Sequence, residues 1–575
     1  MSLWMTDMPD SEKWVTIGDK MAEIFEEYYK EIVDADGNIT DIDLSCPEDF
    51  NFAYDVIDRH AKESPLDIAL VHKSVDGKVR KFTFEEITRL SNKAANVFRA
   101  AGIGKKDPVM LLLKRRYEFW ISVLALHKLG AVTIPTSHMV SDKDIEERIK
   151  CADAKAIVCV DDDHICDRVS KATEGFGESV VRFVVGSDRE GFKDFDALLE
   201  EADDRFDRVS TQKSDDMLYY FTSGTSGEPK AVIHDFSYPI AHIFTAKNWH
   251  GVKPGYLHLT VADSGWAKSA WGKMYGQWFM GAAIMVYDYE QFYAADMLKL
   301  IEEVGINTFC APPTIYKYFV REDLSKYDFS KVYQFTTAGE YLPIEISKRF
   351  TDKTGKIIRE GFGQTETVVI TCTQVGKDQV QGSIGKASPL YDVRVVDEDN
   401  RPVPVGEEGE IVIVPKERDG KEIPFGIFKG YLGNSELYSE VWEGGVYHTC
   451  DKAYIDENGY FYFKGRNDDV IKSSGYRIGP SEVEDIIMKH PAVFECAVTG
   501  YPSKTRGMLV KASIVLNKGY EAEPHLKTEI QEFVKERAAI YKYPRMIEFA
   551  QSLPKSTSGK ISRAKIREAD YAKIK

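Results

Sequence analysis

Between residues 70 and 320 short apolar runs alternate with amphipathic stretches: 108–113 precedes 117–129, 131–134 precedes the charged segment 141–151, and 156–160 runs into an acidic turn and a helical pattern. Apolar runs of this length between turn signals predict buried strands, and the longer amphipathic stretches predict helices. Their regular alternation predicts an α/β fold with parallel strands in layered sheets. Beyond residue 390 the pattern changes. Segments 392–396, 409–414 and 460–464 are short, β-rich and separated by the turn sequences DEDN and DENG, which predicts a small antiparallel sheet or β-barrel-like subdomain. The last 108 residues predict a compact α+β domain: a helix over 481–490, strands over 494–499 and 510–516, and a helix over 524–539. Ser481 stands as the N-cap of the first helix, with Glu484 three residues on completing a capping box.

A chain of 575 residues exceeds what one hydrophobic core supports, so at least two domains are expected. With 43% hydrophobic and 29% charged residues the composition is that of a folded globular protein, not a disordered one. No apolar run reaches the length of a membrane span, and the first residues lack the basic flank and apolar stretch of a secretory signal, so a cytoplasmic location is expected. The eight cysteines include no CxxC pair, which argues against a disulfide framework. CVDDDHIC (159–166) crowds thiols, carboxylates and an imidazole, yet it also fits a strand running through an acidic turn into a helix. The net charge of −17 is unevenly spread: residues 468–575 hold 19 Lys and Arg against 14 Asp and Glu, the remainder 56 against 78. A basic terminal portion suits either electrostatic docking on the acidic body or a polyanionic substrate. No nucleic-acid-binding module is recognisable.

Candidate chemistry begins at YYFTSGTSGEPK (219–230). Gly224 and Gly227 let backbone N–H groups approach an anion, Thr222, Ser223, Thr225 and Ser226 offer hydroxyls, and Lys230 adds a point charge. The spacing is not that of a Walker loop, whose lysine directly follows its second glycine. Further along come AGEYLP (338–343), EGFGQTET (360–367), HTCDKAY (448–454), GRNDDVIKSSGYRIGPSEVE (465–484) and PKSTSGK (554–560), in that order. Together these motifs resemble the adenylate-forming superfamily from about residue 50 to 563, and most of all its medium-chain acyl-CoA synthetases.

The resemblance implies a large N-terminal domain (1–467), a hinge at Asp468 and a small mobile lid (468–575). It implies ATP, Mg²⁺ and coenzyme A, with a carboxylic acid as the fourth component. Thr222 to Lys230 would cradle the β- and γ-phosphates, Thr365 would contact the α-phosphate, and Glu366 would hold Mg²⁺. Gly339, Glu340, Tyr341, Glu360, Gly361 and Phe362 match adenine-site positions, followed by Gly363 and Gln364. Asp451 would take both ribose hydroxyls, which a carboxylate can accept together, with Arg466 beside it. A structural ion pair between these two is compatible with that role. Lys560 would reach the α-phosphate in the adenylation transition state. In a second state the lid would withdraw Lys560 and bring Ser474, Gly475 and Tyr476 to a pantetheine tunnel, with Arg477 at the adenylate site. Arg506, Lys535, Tyr543, Pro544 and Arg545 would hold the nucleotide end of coenzyme A. An enzyme that loads a separate carrier protein is the alternative.

Two features bear on specificity and conformation. Relatives that use acetate carry tryptophan where this chain has Gly363, so the acyl pocket is expected to open beyond two carbons. Trp266, Lys268 and Trp271 lie in the segment 263–281, which corresponds to the family's acyl-pocket region. Lys268 and Trp271 share a helical face. Either they shorten the acyl channel or Lys268 snorkels to the surface. The expected substrates are short- to medium-chain or branched acids. Cys450 replaces the family's glycine before Asp451, so an ordinary backbone conformation is expected there.

Overall fold

A computed structural model describes residues 24–223, 229–416, 424–466, 469, 471–473, 476–503, 507–539, 541–556 and 560–574. The apolar runs become strands of a sheet ordered Gly430–Tyr431, Pro229–Asp235, Asp216–Ser223, Val132–Pro135, Pro108–Leu112, Ala156–Val160, Val181–Val185 and Lys193–Asp194. From Asp216–Ser223 onward neighbours run parallel; the two at the other edge are antiparallel. Its central strands Pro108–Leu112 and Ala156–Val160 are buried at every position, which is why they read as unbroken apolar runs.

A second sheet is ordered Lys386–Ala387, Val369–Cys372, Ile358–Gly363, Gln334–Thr337, Thr308–Cys310, Leu257–Thr260, Ala283–Tyr287, Ile68–Lys73 and Val79–Thr83. The strands from Ile358–Gly363 to Ile68–Lys73 are parallel. The two sheets touch backbone to backbone at Gly265, where an added Cβ would lie 2.0 Å from the amide nitrogen of Ser137. Only glycine permits that approach. It brings the carboxyl ends of strands Val132–Pro135 and Leu257–Thr260 together, the edge at which parallel sheets place ligand-binding loops.

The segment after residue 390 forms four antiparallel strands, Asp392–Val396, Gly409–Val414, Tyr447–Ile455 and Phe461–Arg466, in that order and without closing into a ring among the described residues. The terminal portion has its own sheet and apolar core. Strands Val493–Ser503 and Gly507–Leu516 are backed by helices Pro480–Ile487 and Pro524–Lys535, with Val483, Ile487, Ile514 and Ile530 among the core residues.

The start of the first of these helices differs from the expected one. Pro480 occupies the first helical turn, and Glu482 rather than Glu484 closes the end by accepting the Gly479 amide (3.2 Å). Ser481 is buried inside the helix. Proline's fixed φ suits that first turn and sets the start one residue early. Glu484 is thereby free to bind the Arg563 guanidinium, at 2.7 Å and 2.8 Å, and the Val498 amide.

Candidate active site

Strands Asp216–Ser223 and Pro229–Asp235 form a hairpin in which Thr222 faces Lys230 and Ser223 faces Pro229. Its tip, carrying Gly224, Thr225, Ser226 and Gly227, lies outside the described residues. Thr222 and Lys230 are both half-buried at its base. On the second strand His234 donates from Nε2 to the Thr365 carbonyl (2.7 Å), and burial holds its pKa down to about 4, so the imidazole is neutral at pH 7. The hairpin is thus fastened to the GQTE turn.

That turn is tied in the other direction by Gln364. Its Nε2 donates to Asp451 Oδ2 (2.6 Å) and to the Thr449 carbonyl (2.7 Å), while Tyr447 donates to its Oε1 (2.7 Å). The amide is in use on both sides, and Asp451 is almost fully buried in a fixed orientation. Arg466 stands directly opposite Asp451 on the adjacent strand. Glu366 accepts a hydrogen bond from Tyr431 (3.0 Å); burial raises its pKa, and the charges of Arg466 and Lys230 draw it back down. A half-buried carboxylate next to two cations, one of them at the base of the 219–230 hairpin, is an oxygen donor of the type Mg²⁺ takes when phosphate oxygens and water supply its other ligands. Glu366 fits that role.

Asp451 owes its direction to a bulge. Opposite the single residue Ile411 the strand Tyr447–Ile455 carries three residues, 449–451, since Glu410 pairs with Lys452 and Val412 with His448. Within it Cys450 adopts φ +58°, contrary to the ordinary conformation expected from its side chain. The Cys450 amide donates to Glu410 Oε1 (2.8 Å) and Thr449 donates to the Ile411 carbonyl (2.7 Å), which hold the kink. A left-handed non-glycine residue stores about 1–2 kcal/mol of strain, here one residue from a candidate ligand-binding carboxylate.

The turn after strand Gln334–Thr337 supplies Gly339, Glu340 and Tyr341. Glu340 accepts from Thr314 (3.0 Å), and Tyr341 donates to Asp485 of the small domain (2.6 Å). Glu360, on the next strand, is buried with its carboxyl held by the Leu342 amide, and burial raises its pKa. Gly361 packs against Trp249, and the half-buried Phe362 lies 6.0 Å from Phe463 between ring centres.

Lys560 enters from the small domain: its Cε lies 3.8 Å from where a Cβ on Gly339 would stand. Lys268 reaches the same turn and donates to the Ala338 carbonyl (2.8 Å). Of the two orientations open in the sequence, the inward one is found. Burial lowers the Lys268 pKa, Lys560 lowers it further, and the thiol of Cys310 lies beside it. Trp266 is half-buried at the start of the same segment; the Trp271 side chain lies outside the described residues.

The expected role of Gly363 needs correction. An added Cβ would sit 2.5 Å from the Val368 carbonyl oxygen and 3.3 Å from the Val369 Cα, so this position faces the backbone of the neighbouring hairpin strand and not open space. The glycine is explained by close strand packing, and a tryptophan could enter only if the hairpin shifted.

In the small domain, Ser474, Gly475, Arg506 and the side chain of Arg477 lie outside the described residues, as does Asp468. Tyr476 stacks on Tyr541 (4.1 Å between ring centres, 5° between planes). Lys535 and Arg545 both lie over the ring of Tyr543, at 4.5 Å and 4.7 Å, and the Pro544 carbonyl accepts from Gln531. Three of the expected coenzyme residues therefore converge. Cys159 and Cys166 are buried, 3.9 Å apart between sulfurs, and no group of three or more His, Cys, Asp or Glu side chains among the described residues is placed to hold a metal ion. His234, Tyr431, Tyr447 and Cys310 were not among the expected site residues; only Tyr447, one position before HTCDKAY, adjoins a motif.

A site of this construction is that of a nucleotide-dependent enzyme, and the chain belongs to the AMP-binding enzyme family, matched over residues 57–432, with that family's C-terminal domain matched over 482–560. Among curated relatives, the human mitochondrial acyl-coenzyme A synthetase ACSM5 is 38% identical over 537 residues, 92% of either chain. Human mitochondrial acyl-coenzyme A synthetase ACSM3 is 36% identical over 546 residues, 93% of this chain and 92% of that one. The crystal structure of the anthranilate CoA ligase AuaEII with anthranoyl-AMP superposes with a TM-score of 0.84 at 26% identity, covering 92% of this chain and 99% of the other. That of a Brucella canis acyl-CoA synthetase gives 0.69 at 31% identity, covering 92% and 95%.

Proposed function

We propose that the protein is an ATP-dependent acyl-CoA synthetase acting on short- to medium-chain or branched carboxylic acids. The observation that carries the reading is the meeting of Lys560, from the small domain, with the Ala338–Tyr341 turn of the large one. A carboxylate is a poor acyl donor, and attack of its oxygen on the α-phosphate of ATP forms a mixed anhydride as pyrophosphate leaves. Negative charge spreads in that step, and Lys560 would supply a cation to meet it. Thr222 and Lys230 would hold the outer phosphates, Gln364 would aim Asp451 at the ribose, and Glu366 would hold Mg²⁺, whose charge would offset that of the phosphates. The lid would then turn about Asp468. Coenzyme A, gripped by Lys535, Tyr543 and Arg545, would present its thiolate to the carbonyl carbon, releasing AMP and leaving the thioester.

Pyrophosphate release with ATP and a panel of acids, with and without coenzyme A, tests the assignment. Turnover that needs coenzyme A and yields acyl-CoA is expected. Adenylate formed without any transfer to coenzyme A would point to carrier-protein loading instead.

A further inference from the structure

We propose that Asp485 is a positioning residue for the adenylating half-reaction, setting the lid over the nucleotide by capturing the hydroxyl of Tyr341. The inference rests on the two-state reading above and names the contact that selects between its states. Tyr341 belongs to the turn that Lys560 approaches, and its hydroxyl donates to Asp485 Oδ2 at 2.6 Å across the domain boundary. Other contacts cross the same boundary: Arg321 lies over Phe494 (3.5 Å) and donates to Asn517 (2.9 Å). Neither involves a residue of the 338–341 turn. Tyr341 alone among these contacts touches both that turn and the lid helix Pro480–Ile487.

The charges around Asp485 make its contact conditional. Glu484 on its own helix repels it, and Glu360 of the large domain shares a repulsion with it; Lys489 on the lid and Lys464 on the last strand of the small sheet attract it. With burial the largest cause, its pKa is raised to about 7 from an ordinary value near 3.8. A lid swung away returns this carboxyl to water and to its ordinary range. The docked lid thus binds a proton more tightly than the free one, so docking is strongest below the ordinary value. It weakens as pH climbs to about 7 and is level above that. Leaving the adenylating position is coupled to loss of that proton.

The test compares wild type, Asp485→Asn, Asp485→Ala and Tyr341→Phe, reading pyrophosphate release without coenzyme A in a single turnover and thioester formation from supplied acyl-AMP. Asp485→Ala should slow adenylation about tenfold through kcat, the loss of one strong hydrogen bond, with KM for ATP little changed and thioester formation intact. In the rate of adenylation Tyr341→Phe should match it, and the double variant should be no slower. Asp485→Asn retains an acceptor for the hydroxyl and should adenylate at a rate independent of pH from 5 to 8, while overall turnover with coenzyme A slows because the lid is released less readily. Equal losses in both half-reactions, additive single variants, or an unchanged pH profile in Asp485→Asn overturns the proposal. A wild type that releases pyrophosphate while the variants behave like it defeats the inference alone; a wild type that releases none with any acid defeats the function reading as well.

Discussion

Lys268 is hydrogen-bonded to the carbonyl of Ala338 at 2.8 Å, one residue before the glycine that Lys560 approaches. Two ammonium groups therefore share one turn, and burial together with the charge of Lys560 lowers the Lys268 pKa. Replacing Lys268 with Ala removes a desolvated amine and its stem from the turn, on the side proposed for the acyl chain. The optimum acid should become longer, each further methylene in contact with apolar wall gaining about 0.8 kcal/mol, or roughly fourfold in kcat/KM. A chain-length series on both proteins checks this, and an identical profile would return Lys268 to a purely structural role.

Gln364 donates a hydrogen bond from Nε2 to Asp451 Oδ2 at 2.6 Å. Gln364→Ala should lower kcat/KM for ATP in the adenylation step by about 10- to 100-fold, the loss expected for a hydrogen bond to a charged group. KM for the acid should hardly move. Steady-state pyrophosphate release with each substrate varied in turn separates the two.

Lys560→Ala should reduce adenylation by about 10²–10³-fold, the usual loss of one group that stabilises transition-state charge. Thioester formation from supplied acyl-AMP should persist. Comparable loss in both half-reactions would contradict a lysine that serves only the first.

Cys450 occupies a left-handed position that glycine takes without strain. Cys450→Gly should leave the melting temperature equal or raise it slightly, relief of about 1–2 kcal/mol being partly offset by about 0.5–1 kcal/mol of added chain entropy. Cys450→Val should lower it, since β-branched residues tolerate positive φ least. Calorimetry on the three proteins orders them Gly, Cys, Val.

Five core histidines should make the fold acid-sensitive. Burial holds His60, His72 and His234 near pKa 4 and His127 and His258 near 3. Their unfolded values lie near 6.5, so the unfolded chain binds more protons below that pH. The stability they contribute is complete above about 6.5 and is lost as pH falls toward 4, each adding a slope of at most about 1.4 kcal/mol per pH unit. Thermal melts from pH 7.5 to 4.5 should show a steepening fall; a flat profile would mean that these sites admit charge.

The parts legible in the sequence were local. Strands Asp392–Val396, Gly409–Val414 and Ala156–Val160 fall where the alternation of apolar residues and turn signals puts them, because both signals act within a few residues. The parts that were not legible depend on partners far away in the chain. Cys450 is held left-handed by a Glu410 carboxylate forty residues earlier, and Gly363 is required by the carbonyl of Val368 in a register no motif announces. Ser481 matched a capping pattern, yet the proline before it competes for the same helix start. Tyr447 and His234 act on Gln364 and Thr365 through contacts that only the assembled sheets create.

Asp469, one residue beyond the proposed pivot, is gripped by Arg563 (3.4 Å) and Arg567 (2.5 Å) of the final helix Arg563–Ile574, which begins three residues after Lys560. The neighbour of the proposed pivot and the lysine proposed for adenylation are thereby tied to one helix. If the lid turns about Asp468, this helix would carry the neighbour of the pivot and Lys560 together, so the lysine would start to leave the nucleotide as soon as the turn begins. Cutting the chain before Arg563 would leave the lysine in place but uncouple its drive.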